Sequence, residues 1–309
     1  MTRFIIRRLI GGVAVIWGIV TLVFIIGDAL PINPARIIAG PNAPASVVRS
    51  IYNQLGLNRP LPQRYVSYLW QLLHGNLGQS YATSQNVSQA LMQRLPFTLE
   101  LVTLSVIGEL LIGVSLAMIA AARRRSFWDS AASVTALLGL TVPSFWLGLV
   151  LLYVLGFRWS IFPLGGVTSA DWVVLPAFTL AFTGAAYYTR IGRASLVEEL
   201  SEDYVRTARS KGLKPSQVLY KHALRNALRP IVTMAGLDFA TLMGGVLVIE
   251  QVFGIPGLGT LAWTAVLQND LPMLEGVIIV IGVVIVIMTI ITDFVYAWLD
   301  PRVIVTSTG

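Results

Sequence analysis

The chain has 309 residues, of which 55% are hydrophobic and only 12% charged, and its mean hydropathy is +0.74. That composition excludes an ordinary soluble domain and defines an integral membrane protein. The net charge of +7 belongs with membrane topology and anionic lipid rather than with a nucleic-acid footprint, and the lack of Cys removes disulfides and thiol chemistry and fits a bacterial inner membrane.

A helix needs roughly 20 apolar residues to cross about 30 Å of hydrocarbon. The sequence offers six such spans and hence an all-α membrane fold: 9–30, 97–122, 130–157, 172–190, 230–250 and 276–298. Arg3, Arg7 and Arg8 precede the first, but its apolar run is too long for a signal peptide and no A-x-A site follows, so it reads as a retained helix. Pro31, Pro34, Pro41 and Pro44 punctuate the start of segment 31–95. Within it, 45–55 and 62–74 have amphipathic spacing, with Tyr65, Tyr68, Leu69, Leu72 and Leu73 on one face. Such a segment either lids the bundle or receives an outside partner. Pro143 is expected to kink the third span. Gly244 and Gly245 allow a close helix approach or a bend in the fifth. The run Phe253-Gly-Ile-Pro-Gly-Leu-Gly259 reads as a turn cluster at the outer mouth.

Orientation follows from the basic residues, which are retained on the cytoplasmic side of flanking spans. Arg123, Arg124 and Arg125 follow the second span, and nine Lys and Arg lie from Arg190 to Arg229, whereas the 3/4 and 5/6 connections hold only Arg158. Arg36, Arg49, Arg59, Arg64 and Arg94 do not reverse this, because loops of roughly 60 residues translocate largely regardless of charge. Both termini are therefore expected in the cytoplasm, with 31–95 and 251–275 periplasmic and 191–229 a cytoplasmic loop.

That loop is patterned. Ser201 suits an N-cap, Glu202 and Asp203 the first turn, Arg209 and Lys211 the last, and Gly212 the left-handed position where a helix stops. Pro215 suits the first position of a second helix, with Leu224, Leu228 and Ile231 on one face and Lys221, Arg225 and Arg229 on another. The elbow between them either transmits a push from a partner or, through its basic stripe, rests on phospholipid headgroups.

Ala208-x-x-x-Gly212 followed by His222-Ala-Leu-Arg-Asn-Ala-Leu resembles the signature loop of inner-membrane permease subunits of binding-protein-dependent ABC importers. The dipeptide, oligopeptide and nickel branch is the nearest in detail. Its motifs recur in order as Arg7-Arg8, Leu55-Gly-Leu-Asn-Arg-Pro-Leu-Pro62, His74-Gly-Asn-Leu-Gly78, Leu95-Pro-Phe-Thr-Leu-Glu-Leu101, Pro143-Ser-Phe-Trp-Leu-Gly148, Asp203-Tyr-Val-Arg-Thr-Ala-Arg209, Pro256-Gly-Leu-Gly259 and Leu299-Asp-Pro-Arg302. Two departures stand out: Arg206-Thr207-Ala208 replaces the general Glu-Ala-Ala, and Ile32-Asn33-Pro34 stands where the branch usually has Gly-Asp-Pro.

The resemblance implies a type I importer permease fold that pairs with a homologous second permease, two ATPase subunits that bind ATP and Mg, and an extracytoplasmic substrate-binding protein. It implies that Ala208, Lys211, Gly212, Leu213, Lys214, Pro215 and Gln217 form the coupling helix that meets an ATPase. The substrates implied are di- or oligopeptides, with a nickel chelate as the alternative within the branch. A secondary carrier or channel is the alternative from another class.

The chain's own chemistry is sparse. No Gly precedes a Lys, so there is no phosphate loop and the chain is not itself the ATPase. The two His, His74 and His222, exclude an H-E-x-x-H zinc site and read as surface residues. No catalytic group and no cofactor or metal bound by this chain is expected. Acids inside spans suggest function by default. Asp238 either lines the aqueous path, where it would meet a cationic or amine-bearing substrate, or bonds locally to another helix. Glu250 is the second candidate for the path, although Glu100, Glu109, Glu250 and Asp293 lie nearer span ends, where hydrated or snorkelling positions account for most of them.

Overall fold

The computed structural model describes residues 2–299; of the Leu299-Asp-Pro-Arg302 motif, Asp300, Pro301 and Arg302 lie outside the described residues. In chain order the helices are α1 Thr2–Ala29, α2 Pro34–Ala39, α3 Ala45–Gln54, α4 Leu61–Leu73, α5 Val87–Ala122, α6 Phe127–Thr141 and α7 Ser144–Leu151. They continue with α8 Val174–Glu199, α9 Asp203–Ser210, α10 Pro215–Gln217, α11 Leu224–Gly245, α12 Leu247–Val252, α13 Leu258–Leu267 and α14 Leu271–Leu299. Wider π turns follow α7 at Leu152–Arg158 and α10 at Val218–Ala223. Among the described residues, Ile6–Ala29, Val87–Ala122 and Leu271–Tyr296 are long and apolar enough to cross a membrane, and Phe127–Thr141 with Ser144–Arg158 adds a fourth if counted as one span.

Pro143 does more than kink a helix. Its ring disfavours the helical region for the preceding residue, and Val142 accordingly adopts φ −83°, ψ 121°. The chain thus leaves α6 and restarts as α7, with the two segments inclined by 100°. Among the described residues no atom lies within 4 Å of where a Cβ would stand on Gly244 or Gly245, so no helix of this chain approaches them closely; they lie where α11 ends before α12 begins.

The described residues form two compact units. One is built from the described parts of Met1–Leu9, Leu99–Ile255 and Ile287–Gly309. Its centre is α8, whose small residues admit the neighbouring helices. A Cβ on Gly108 would stand 2.7 Å from Ala181 Cβ, one on Gly139 2.8 Å from the Phe182 carbonyl oxygen, and one on Gly192 2.9 Å from Ala117 Cβ. In lipid, where apolar tails compete with apolar side chains, such backbone proximity and its van der Waals contacts hold helices together. A bidentate ion pair adds to this: Arg193 Nε and Nη2 on α8 donate to Asp129 Oδ1 and Oδ2 on α6 at 2.7 and 2.9 Å, and the Arg125 backbone N–H donates to the same carboxylate at 2.9 Å.

The second unit comprises Ile10–Thr98 and Pro256–Val286. Here α4 lays its aromatic face on α1, with the Phe24 ring 5.2 Å from Tyr65 and 5.3 Å from Tyr68, and Thr21 Oγ1 2.7 Å from the Tyr65 hydroxyl. Tyr65, Tyr68, Leu69 and Leu72 are half-buried as their spacing predicts, but Leu73, the last residue of α4, is 81% exposed. Gly276 and Gly282 on α14 meet Val87 Cγ1 at 2.6 Å and Ile19 Cδ1 at 2.7 Å from their Cβ positions. Asp270 fixes the turn before α5 by accepting from Ser80 Oγ and, at 3.0 Å, from the Tyr81 backbone N–H.

Candidate functional site

The elbow at Gly212 is closed by a pair of backbone hydrogen bonds. The Leu213 N–H donates to the Ala208 carbonyl at 3.4 Å and the Gly212 N–H to the Arg209 carbonyl at 2.9 Å. This is the Schellman arrangement that ends a helix with a left-handed residue. Gly212 supplies that residue, with φ +78°, a conformation that costs other L-residues energy. The apolar contact that usually accompanies the motif is present too, since half-buried Leu213 packs on the cluster of Val205, Ala208 and Val218. Beyond the bend, Pro215 occupies the first position of α10, and Gln217 Oε1 reaches back to accept from the Lys214 N–H at 3.3 Å. Three residues after Gly212 the chain is helical again, so the elbow is rigid on both sides.

The side chains divide into two groups. Lys211, Gly212, Lys214, Pro215 and Gln217 are exposed, whereas Ala208 is 6% exposed and Leu213 half-buried. Ala208 and Leu213 therefore build the bend, and the other five face outward where a partner can touch them. Ser201 does not cap α9. Its hydroxyl donates backwards to the Glu198 carbonyl at 2.6 Å, which leaves Glu202 as the N-cap.

The elbow is tied to the helices that lead into it. The Tyr204 hydroxyl donates to Glu199 Oε2, and Asn226 Nδ2 donates to the Tyr204 hydroxyl at 3.1 Å and to Glu199 Oε2 at 3.3 Å, which links α8, α9 and α11. Burial and then the bond to Glu199 push the Tyr204 phenol up, so it stays a donor at neutral pH. Below this triad, Ala117, Ala121, Leu196, Leu219, Ala223 and Ala227 form one buried cluster. The inward face of the second helix is thus Ala223, Ala227 and Ile231, while Leu224 and Leu228 are only half-buried; Lys221 and Arg225 point to solvent.

Two of the acids inside the helices, Glu109 and Glu250, do not occupy the hydrated or snorkelling positions that their places in the sequence suggested. Glu109 is 1% and Glu250 0% exposed. Glu109 sits well inside α5, which begins at Val87, ten residues before the expected span. Its carboxylate packs where Gly184 of α8 lacks a Cβ and lies within interaction range of Asp238 on α11. Half-buried Asp238 accepts from the Tyr188 hydroxyl at 2.9 Å, and Tyr188 is 1% exposed. Asp238 therefore has the local partner that one reading of the sequence anticipated. Glu109 and Tyr188 complete the cluster, although their roles have no signal in the sequence beyond one acid in an apolar run. Of the other acids, Asp293 pairs with Arg8 at 2.9 Å and Glu100 is exposed. No group of three or more His, Cys, Asp or Glu able to hold a metal occurs among the described residues.

The chain is thus an all-helical membrane fold held by small-residue packing and carrying a rigid polar elbow. The fold is similar to that of an inward-facing MetNI methionine ABC transporter, with a TM-score of 0.58 and 16% identity over 69% of this chain and 97% of the other. The model described as binding-protein-dependent transport system inner membrane component matches residues 113–305, and the corresponding N-terminal model matches residues 1–102. The chain belongs to that family.

Across 98% of this chain and 99% of each relative, it is 38% identical to the probable peptide ABC transporter permease protein y4tP of Sinorhizobium fredii and 36% identical to the oligopeptide transport system permease protein AppB of Bacillus subtilis. It is likewise 36% identical to the glutathione transport system permease protein GsiC of Escherichia coli. The chain is a multi-pass inner-membrane permease subunit, non-catalytic itself, of an ABC transporter that works with an ATPase and a binding protein. The alternative of a self-contained carrier or channel is excluded by that membership.

Proposed function

We propose that this permease imports di- or oligopeptides, and that Lys211, Gly212, Lys214, Pro215 and Gln217 receive the push of an ATPase subunit while Ala208 and Leu213 hold their shape. The observation that carries the coupling role is the elbow itself: five outward residues on a bend closed by backbone hydrogen bonds and backed by a buried apolar cluster. A lipid-resting loop has no need of such rigidity. The names of the peptide, oligopeptide and glutathione relatives support the substrate class.

In this reading the chain crosses the membrane six times, with both termini and the elbow cytoplasmic and segment 31–95 periplasmic, as the distribution of Lys and Arg favours. It pairs with a homologous permease above two ATPase subunits, and a periplasmic binding protein delivers substrate. ATP and Mg are held by the ATPase subunits. Asp238 borders the substrate path, with its carboxylate already oriented by Tyr188, while Glu250 is closed off in the conformation described. Uptake of labelled tripeptide into membrane vesicles tests the function. It should require ATP and the binding protein and persist when the ion gradient is collapsed; uptake driven by the gradient without ATP contradicts it. Asp238→Asn should lower uptake without uncoupling the ATPase, and unchanged uptake removes Asp238 from the path.

A further inference from the structure

The unit formed by Ile10–Thr98 and Pro256–Val286 contains a cavity of about 620 Å³ lined by α1, α2, the end of α3 and the loop after it, α4, the turn before α5 and the start of α14. That volume lies in the range of roughly 300–1,000 Å³ typical of small-ligand sites. Its charged lining is balanced, with Asp28 and Glu275 against Arg59 and Arg64, but the four are not equivalent. Arg64 Nη1 contacts Asp28 Oδ1 at 2.5 Å, so these two neutralise each other. Glu275 and Arg59 have no ion pair among the described residues.

Glu275 is half-buried, with its carboxylate packed where Gly27 lacks a Cβ. The Tyr68 hydroxyl lies beside it, enclosed, yet makes no hydrogen bond of proper geometry. Burial, and then the Glu275 charge, raise the Tyr68 phenol; burial followed by Glu275 and Asp270 pushes Tyr81 up to about 12. Both phenols are consequently neutral donors beside a carboxylate that makes no ion pair among the described residues. A half-withdrawn carboxylate is costly to keep charged, and an arriving ammonium favours its charged form. Arg59 is exposed, with its chain folded over Gly56, Nε being 3.4 Å from the Gly56 Cβ position. Its planar guanidinium suits a carboxylate.

We infer that this cavity receives a short zwitterionic peptide, with Glu275 taking the α-ammonium and Arg59 the α-carboxylate. The inference rests on the peptide reading above and assigns the permease its own periplasmic reception site for substrate. Isothermal titration of the assembled transporter, without its binding protein, tests it in nanodiscs of phosphatidylglycerol, whose headgroup has no ammonium to compete. The probes are trialanine, N-acetyl-trialanine and trialanine amide.

Wild type should prefer trialanine over both blocked forms. Glu275→Gln should weaken trialanine binding about tenfold and lose only the distinction from the acetylated peptide, since a hydrogen bond to a charged group is worth about that factor. Arg59→Gln should lose only the distinction from the amide. Misfolding would erase both distinctions in one variant, and the other variant would still decide. The inference is overturned if wild type binds no trialanine at millimolar concentration, if it binds the blocked peptides equally well, or if both variants keep both distinctions. ATP-driven uptake of trialanine by the complete system separates the two claims. Uptake without the cavity's discrimination overturns the site alone, whereas no uptake of trialanine or longer peptides overturns the peptide reading and the site together.

Discussion

Gly212 offers a perturbation in which backbone strain and surface bulk can be separated. Its φ of +78° costs a non-glycine residue roughly 1–2 kcal/mol. No atom lies within 4 Å of its Cβ position, so Gly212→Ala adds no clash to that cost. A loss of about 1–2 kcal/mol changes a local equilibrium by a factor of roughly 5–30, small against a native stability of about 5–15 kcal/mol, and the elbow remains formed in most molecules. Gly212→Asn costs less, because Asn tolerates the left-handed region. Gly212→Trp carries the same backbone cost and sets an indole on the exposed surface where the ATPase is proposed to dock. The assay is ATP-dependent uptake in vesicles, with permease abundance measured in the same membranes. Ala and Asn variants should transport within about fivefold of wild type, and the Trp variant should be present but inactive. If Trp transports as well as Ala, nothing docks at Gly212; if Ala is as inactive as Trp, the defect is strain and the docking argument fails.

Two further substitutions address what holds the elbow. Leu213→Ala removes part of a half-buried contact with Val205, Ala208 and Val218, at a cost of about 1–2 kcal/mol, less than for a fully buried Leu. Amide hydrogen exchange should accelerate across residues 205–218 and not in α14; uniform exchange would show that the cluster is not a local unit. Arg193→Ala leaves the Asp129 carboxylate, 6% exposed, with the Arg125 N–H and no guanidinium. Breaking a buried pair costs roughly 3–5 kcal/mol, and because the Arg193 side chain is 34% exposed the expected loss is about 1–2 kcal/mol. A lower Tm in thermal unfolding of the purified complex checks this, and an unchanged Tm would leave the pair without a stabilising role.

The parts legible in the sequence are those whose causes are local. Gly212 and Pro215 announce a helix stop and a helix start within four residues, and the structure puts the bend there. The amphipathic runs at 45–55 and 62–74 likewise become α3 and α4. Contacts between distant residues were not legible. Asp129 and Arg193 lie 64 positions apart, and Tyr188 and Asp238 lie 50 apart, with no pattern linking them. Ser201 has the right chemistry for an N-cap, but the end of α8 claims its hydroxyl first. Which elbow residues turn inward depends on Val205 and Val218 meeting across the bend, so Ala208 and Leu213 look in sequence like the outward residues beside them.

If the elbow is the coupling surface, residues 211–217 meet an ATPase. The chain contains no Cys, so Ser216→Cys, at an exposed position in this stretch, places a single thiol there. Its rate of maleimide labelling should be high in membranes that hold the permease without the ATPase and fall sharply once the ATPase assembles, while a thiol at exposed Arg124 labels equally in both. Equal labelling of Ser216→Cys with and without the ATPase would show that the elbow meets no ATPase.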